Sequence, residues 1–405
     1  MGSFDSLRYR NFRLMWTGAF LSNIGTWMQS IALAWYVLLL THSAFWVSFI
    51  TFANFFPIVV SPVGGVYTDR LDRRKILMVT QTVMMLDATA LTILAWTGHA
   101  TLLLVNLLTF GQGLAFAFNG PTWLAFVPSL VPPEGLVNAI ALNSAQFSLA
   151  RVVGPAVAGV LISVVKPAVV FGINAASFVA VLVALALIRA TPRPVPARRS
   201  VREELVKGFS YVWRHRRIRT MIGLIAVTSF FAAPVSALLP VFAKDVFGGG
   251  AGAFGILAAA MGLGSVAGAL ALGRLGNRIS PRLTSIGALG IAGSLVLFSA
   301  IHVYAVGLAM IFLYGATYLF VVASTNGDIQ LQVDEDVRGR VLSIYLLAFG
   351  GLFPLGSLLA GAIAQTWGAP VTTLVGAFVC GVWALGMTWR GSEGPAGRPA
   401  LEPGT

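Results

Sequence analysis

Charge is scarce in this chain. Of 405 residues only 10% are Asp, Glu, Lys or Arg, and just 14 are acidic, where a soluble domain carries about 25% charged residues. That leaves too little charge to coat the surface of two or three water-soluble domains. The shortage of acids also excludes a disordered acidic protein. A single cysteine, Cys380, excludes an intramolecular disulfide framework and any multi-cysteine metal site. The four histidines, His42, His99, His215 and His302, have no metal-ligand spacing. No Walker lysine motif occurs, and Gly250 to Gly255 matches a dinucleotide fingerprint only in letters, because it follows an apolar span rather than a strand. No nucleophile–base constellation is visible, so an enzyme is not expected.

What remains is apolar. Hydrophobic residues make up 57% and the mean hydropathy is +0.84, so lipid is the solvent for most of the chain. A crossing helix needs about 20 largely apolar residues. Runs of that kind lie near 12–40, 45–68, 76–97, 101–126, 138–164, 168–189, 219–244, 251–272, 283–301, 304–327, 339–366 and 369–389. The runs are too long for strands, so the reading is an all-α polytopic membrane protein with twelve transmembrane helices. The first run is too long for a cleavable signal peptide, and the letters of a myristoylation pattern at Met1 to Ser6 are read as chance.

The cations orient it. Of the 27 Lys and Arg, Lys166 and Lys244 alone fall on one side and Arg151 lies inside a span; all the others sit in loops or tails of the opposite side. The positive-inside rule then puts both termini in the cytoplasm. It also accounts for the +13 formal charge without nucleic acid, since short basic loops face anionic lipid.

The one long polar stretch divides the chain. An amino-terminal six-helix bundle (1–189) is followed by a cytoplasmic linker (190–218), a carboxyl-terminal bundle (219–390) and a disordered cytoplasmic tail (391–405). Within the linker, Leu205, Phe209, Val212 and Trp213 are expected to form the apolar stripe of a surface helix. The two bundles resemble each other. Arg70-Leu71 with Arg73-Arg74 is echoed by Arg274-Leu275 with Arg278, Gly154 and Gly159 by Gly356 and Gly361, and Asn119-Gly120 by Asn326-Gly327. All are displaced by roughly 200 positions, as a parallel repeat about the membrane normal requires.

The chain resembles the major facilitator superfamily over essentially its whole length. Within it, the chain is similar to the bacterial branch of enterobactin exporters and macrolide-efflux-like proteins, through Leu7 to Arg13, Gly25 to Gln29, Asn138 to Ser144, Ala150 to Pro155 and Arg338 to Val341. The resemblance implies a secondary transporter working by alternating access. It implies proton-coupled efflux of a small amphiphilic compound, from the bacterial inner membrane, as a monomer and without a cofactor. An importer or facilitator of the same fold, and a non-transporting receptor or enzyme, are the alternatives.

Gly65, Asp69, Arg70, Arg73 and Arg74 match the superfamily's loop signature, with Asp72 in place of a usual glycine. The resemblance implies that Asp69 and Arg70 latch the halves in the outward-facing state. Arg338 and Arg340 are the natural partners for a carboxylate there. Gly154, Pro155 and Gly159 resemble the antiporter helix signature. Drug antiporters carry an arginine three residues before a Gln-Gly pair, but here Thr109 precedes Gln112-Gly113.

Charge inside the bilayer costs at least ~2.5 kcal/mol, which makes Arg151 and Asp87 coupling candidates, either in a cavity or paired with each other. Asp328, at the end of a span, is a third. Polar and aromatic residues on shared helical faces, Asn23, Trp27 and Ser30, then Gln112, Phe116 and Asn119, then Tyr314 and Tyr318, together with Gln146, are the expected cavity wall.

Overall fold

The structure is a computed structural model that describes residues 4–188, 209–276, 281–335 and 337–391; the side chains of 62, 63, 66, 69, 70, 281 and 388–391 are likewise outside the description. The tail and most of the linker, Leu205 included, lie outside the described residues. Within them the chain is helical and contains no strand.

The elements are α1 (Arg10–Thr41), α2 (Ala44–Phe55), α3 (Ser61–Arg70), α4 (Arg73–Thr97), α5 (Leu102–Phe126), α6 (Leu136–Val164), α7 (Pro167–Leu187), α8 (Arg216–Val227), α9 (Val235–Val241), α10 (Ala251–Leu275), α11 (Pro281–Ala300), α12 (Tyr304–Gln332), α13 (Arg338–Leu346) and α14 (Leu352–Gly391). Among the described residues, ten helical stretches are long and apolar enough to cross a membrane. Their outer faces carry large apolar side chains such as Leu86, Ile93, Trp96 and Phe378, each more than half exposed. Apolar exposure on that scale belongs against lipid.

The breaks between elements have local causes. Asp72 accepts from the backbone N–H groups of Arg74 and Lys75 and so caps α4. This gives the departure from glycine at that position a structural role. The expected second span, 45–68, tightens to a 3-10 turn at Phe56–Val60, where Pro57 removes a backbone donor. The seventh is interrupted by π turns at Thr228–Ala232 and Phe242–Val246, with Pro234 between them. The last 50 apolar residues hold a break at Gly368, whose φ of 83° suits glycine. That is the expected boundary between two spans.

Packing follows the repeat. In the first half α1 packs on α6 and α7, α4 on α5 and α7, and α5 on α2 and α3; in the second, α10 packs on α12, and α11 on α12 and α14. The halves meet where α6 crosses α10 and where α2 crosses α14. Gly159 lies against Gly255 at the first crossing, and its sequence counterpart Gly361 lies against Ser48 at the second. Likewise Gly154 abuts Trp27 while its counterpart Gly356 abuts Phe230. The repeated glycines therefore make corresponding contacts, which is the signature of two halves related by a pseudo-twofold axis.

A buried amide chain ties the first half together. Gln29 of α1 donates to Gln112 Oε1 of α5 (3.0 Å), and Asn174 Nδ2 of α7 donates to Gln29 Oε1 (2.7 Å). Gln29→Leu removes both bonds and leaves the buried Asn174 amide nitrogen without its partner, at about 1–3 kcal/mol. The variant is expected to melt well below wild type in detergent; an unchanged melting temperature would show that the chain carries no stability.

Near the linker, residues 209–214 are helical. Phe209 and Trp213 are exposed and stack on each other at 6.2 Å, while Val212 is buried. The expected single stripe is therefore divided, because positions 209 and 213 lie one turn apart and 212 faces inward.

Candidate functional site

A cavity of about 1630 Å³ lies between the halves. Its wall is mixed: Asn23, Trp27 and Ser30 from α1, Gln112 and Phe116 from α5, Arg151 and Pro155 from α6, and Tyr314 and Tyr318 from α12. Seven of these nine were expected on the wall, Arg151 as a coupling candidate and Pro155 in the antiporter-like motif. Gly65 and Arg340 border the cavity at one end, beside Ile58, Ser61, Gly339 and Ser343.

The opposite end is shut. At the shut end Ser43 Oγ donates to Gln365 Oε1 (2.7 Å), and the Gly159–Gly255 and Ser48–Gly361 contacts leave no gap. Deeper in, Phe55 meets Phe353 edge-on at 5.3 Å. Two features border the chamber from the second half: Ala233, just past the Thr228–Ala232 π turn, and Leu347 to Gly351, itself a π turn. Such turns place an extra residue in a helix and are frequent at functional sites. The Tyr314 hydroxyl donates to the carbonyl of Ala232, at 3.3 Å.

Arg151 is the charge at the centre. Its guanidinium sits over the Trp27 ring at 5.7 Å, and Trp27 is braced edge-on by Phe147 at 6.1 Å. Among the described residues it makes neither hydrogen bond nor ion pair. Tyr314 and Tyr318 are its electrostatic neighbours from the opposite half. The expected alternative, a bridge to Asp87, is absent. Asp87 faces Gly111 across the α4–α5 interface, and its buried Oδ2 has no partner.

Other expected residues stand behind the wall or away from it. Asn119 turns from the cavity and donates to Thr80 Oγ1 (2.9 Å). Gln146 accepts from Asn23 Nδ2 (3.2 Å), holding a wall residue in place rather than facing the chamber. Asp328 pairs with Arg217 at 3.5 Å, outside the lining, in a half-exposed bridge of the kind that contributes little to stability. Arg73 donates to the Ala125 carbonyl (2.9 Å), and Arg74 to those of Leu185 and Ala186 (2.6 and 2.7 Å). Both thus hold helix ends of their own half. Arg338 Nη2 donates to Val333 O (3.5 Å) while its buried Nε lacks a partner. The side chains of Asp69 and Arg70 lie outside the described residues.

Sequence reasoning missed several wall residues, including Thr51, Asn54, Phe147, Ser236, Ser265 and Phe353. Asn54 and Ser265 are polar positions in apolar runs, which was the available signal. Which way they point is not written in such runs.

The family described as transmembrane secretion effector matches this chain over residues 1–389. The chain is 28% identical over 366 residues to the staphyloferrin A transporter of Staphylococcus aureus, covering 88% of this chain and 90% of that one. It is 26% identical over 376 residues to macrolide efflux protein A of Streptococcus pyogenes (89% and 92%), and 26% identical over 378 residues to the enterobactin exporter EntS of Escherichia coli (92% and 89%). Among solved structures it superposes on a bacterial homologue of the human lysosomal transporter Spinster, inward-facing and unoccupied. There the TM-score is 0.72 at 13% identity, over 95% of this chain and 96% of that one.

Proposed function

Since this chain belongs to the transmembrane secretion effector family of the major facilitator superfamily, it is a multi-pass membrane transporter and not an enzyme, and we propose that it exports small amphiphilic organic compounds across the bacterial inner membrane by alternating access. The observation that carries this reading is the cavity between two pseudo-symmetric halves, sealed at one end. Rocking of the halves about the centre exchanges which end is sealed. In this reading the chain crosses the bilayer twelve times with both termini in the cytoplasm. The end bordered by Gly65 and Arg340 then faces the cytoplasm and admits cargo. The siderophore and macrolide cargoes named for the relatives are the first classes to test.

Proton influx is the energy source in this reading. No carboxylate among the described residues lines the cavity, so the proton falls to Asp87, whose buried Oδ2 is unpartnered. The loop signature through Asp69 and Arg70 serves as the cytoplasmic latch once the halves rock to the opposite state. The working unit is the monomer, since the cavity is built from one chain.

Inside-out vesicles containing the protein are expected to accumulate a siderophore or a macrolide when energised, and to stop when the proton gradient is dissipated. Cysteines introduced at His42 and His99 should label from outside the cell, and one at Arg198 should not. Movement in the opposite direction would make the protein an importer, and labelling of position 198 in intact cells would overturn the topology.

A further inference from the structure

Arg151 lines the cavity, and no Asp or Glu among the described residues does. Arg151 reaches the chamber with its guanidinium unpaired, resting on a tryptophan face. A ring face offers a cation only its quadrupole; it accepts none of the directed N–H bonds that the planar guanidinium presents. Asp87 does not neutralise it, being turned into the α4–α5 interface.

We infer from this that the cargo carries an acidic group, and that the site takes an amphiphilic organic anion, its carboxylate or equivalent oxygens on the Arg151 fork and its apolar body against Trp27, Phe116 and Phe147. The inference rests on the reading of this cavity as the transport site and names the class of cargo. Guanidinium and carboxylate match in geometry, two parallel N–H donors to two oxygens, and ionised partners strengthen such bonds. A cationic amine of the same size would meet a like charge with no carboxylate to hold it. A neutral alcohol would leave the guanidinium to water.

The position matters as much as the charge. The Arg151 carbonyl lies near Gly262 of α10, and its side chain has Tyr314 and Tyr318 of α12 as neighbours. An anion on this fork sits on the seam between the halves, where its presence is felt by both. Trp27 is fixed from behind by Gly154, on which a side chain would strike its Cβ, so the ring and the guanidinium above it are held in place.

The test is equilibrium dialysis on the full-length protein in an uncharged detergent, with empty micelles as reference. Three probes of matched aromatic body are used: naphthylacetate, naphthylethanol and naphthylethylammonium. The acetate is expected to bind at least tenfold more tightly than the alcohol, with the ammonium weakest. Arg151→Gln should weaken acetate binding about 10–100-fold while changing the alcohol less than about twofold. Arg151→Lys, checked to melt like wild type, should keep the preference for the acetate at reduced affinity, since it retains charge without the fork. Competition by inorganic phosphate as effective as the acetate would overturn the amphiphile part of the inference. Equal binding of all three probes, or an undiminished acetate preference in Arg151→Gln, would overturn the anion site and leave export standing. Failure of all three to bind would count against the transport site itself, and so against both readings.

Discussion

Gly159→Leu is expected to abolish export while leaving both halves folded. Even a Cβ on Gly159 would come within 2.5 Å of the Gly255 Cα, and backbone has no rotamer by which to yield. The clash falls between halves rather than within one, so each half keeps its own core. It arises only where α6 presses on α10, in the state sealed at the Ser43 end. A conflict of about 3 kcal/mol drives an even two-state equilibrium to roughly 1:99, and a leucine at this distance demands at least that. Transport in vesicles should fall more than tenfold. A cysteine introduced at Ser236, inside the cavity, should become reactive from the Ser43 end. Gly361→Leu, at the corresponding contact with Ser48, should behave alike. Wild-type transport by either variant would mean that this end need not seal during the cycle.

The second large effect concerns Arg151. Arg151→Ala is expected to cost at least tenfold in transport, because it removes the one charge at the centre of the seam. The structure changes what is expected of its partner. With Arg151 on Trp27 and Asp87 against Gly111 of α5, the two form no ion pair, and their effects on thermal stability should add within about 0.5 kcal/mol. Asp87→Ala alone should be neutral or stabilising, since it removes a buried oxygen that has no hydrogen bond. A coupling above about 1 kcal/mol in the double variant would show that the two residues pair in some state of the cycle.

Cavity-facing and lipid-facing surfaces are both largely apolar here. Residue spacing therefore does not say which polar side chain faces the chamber. Asn119 and Gln112 lie on one side of the same helix, yet Gln112 lines the chamber and Asn119 turns to Thr80. Nothing in their spacing separates them. Arg73 and Arg74 sit in a signature associated with gating, yet both are spent on carbonyls at helix ends of their own half. Gln29 and Asn174 bridge three helices, a role that their places in apolar runs do not show.

The sequence by itself determined the solvent, the helical class, the order of the apolar stretches, the repeat and the placement of Arg151 within a span. Run length, hydropathy and the cost of a bare charge in lipid are local properties, summed along the chain without knowing what lies across from it. Tertiary structure alone decided which polar groups face each other: that Arg151 stands unpaired on Trp27, that Asp87 lies against Gly111 instead of pairing with it, that Asp328 belongs to Arg217, and that one end of the cavity is sealed by Gly159 on Gly255. Helices that are apolar on every side carry no stripe to say which way they turn. Their rotation is fixed by small residues and hydrogen bonds contributed from distant segments, and those partners exist only once the halves have packed.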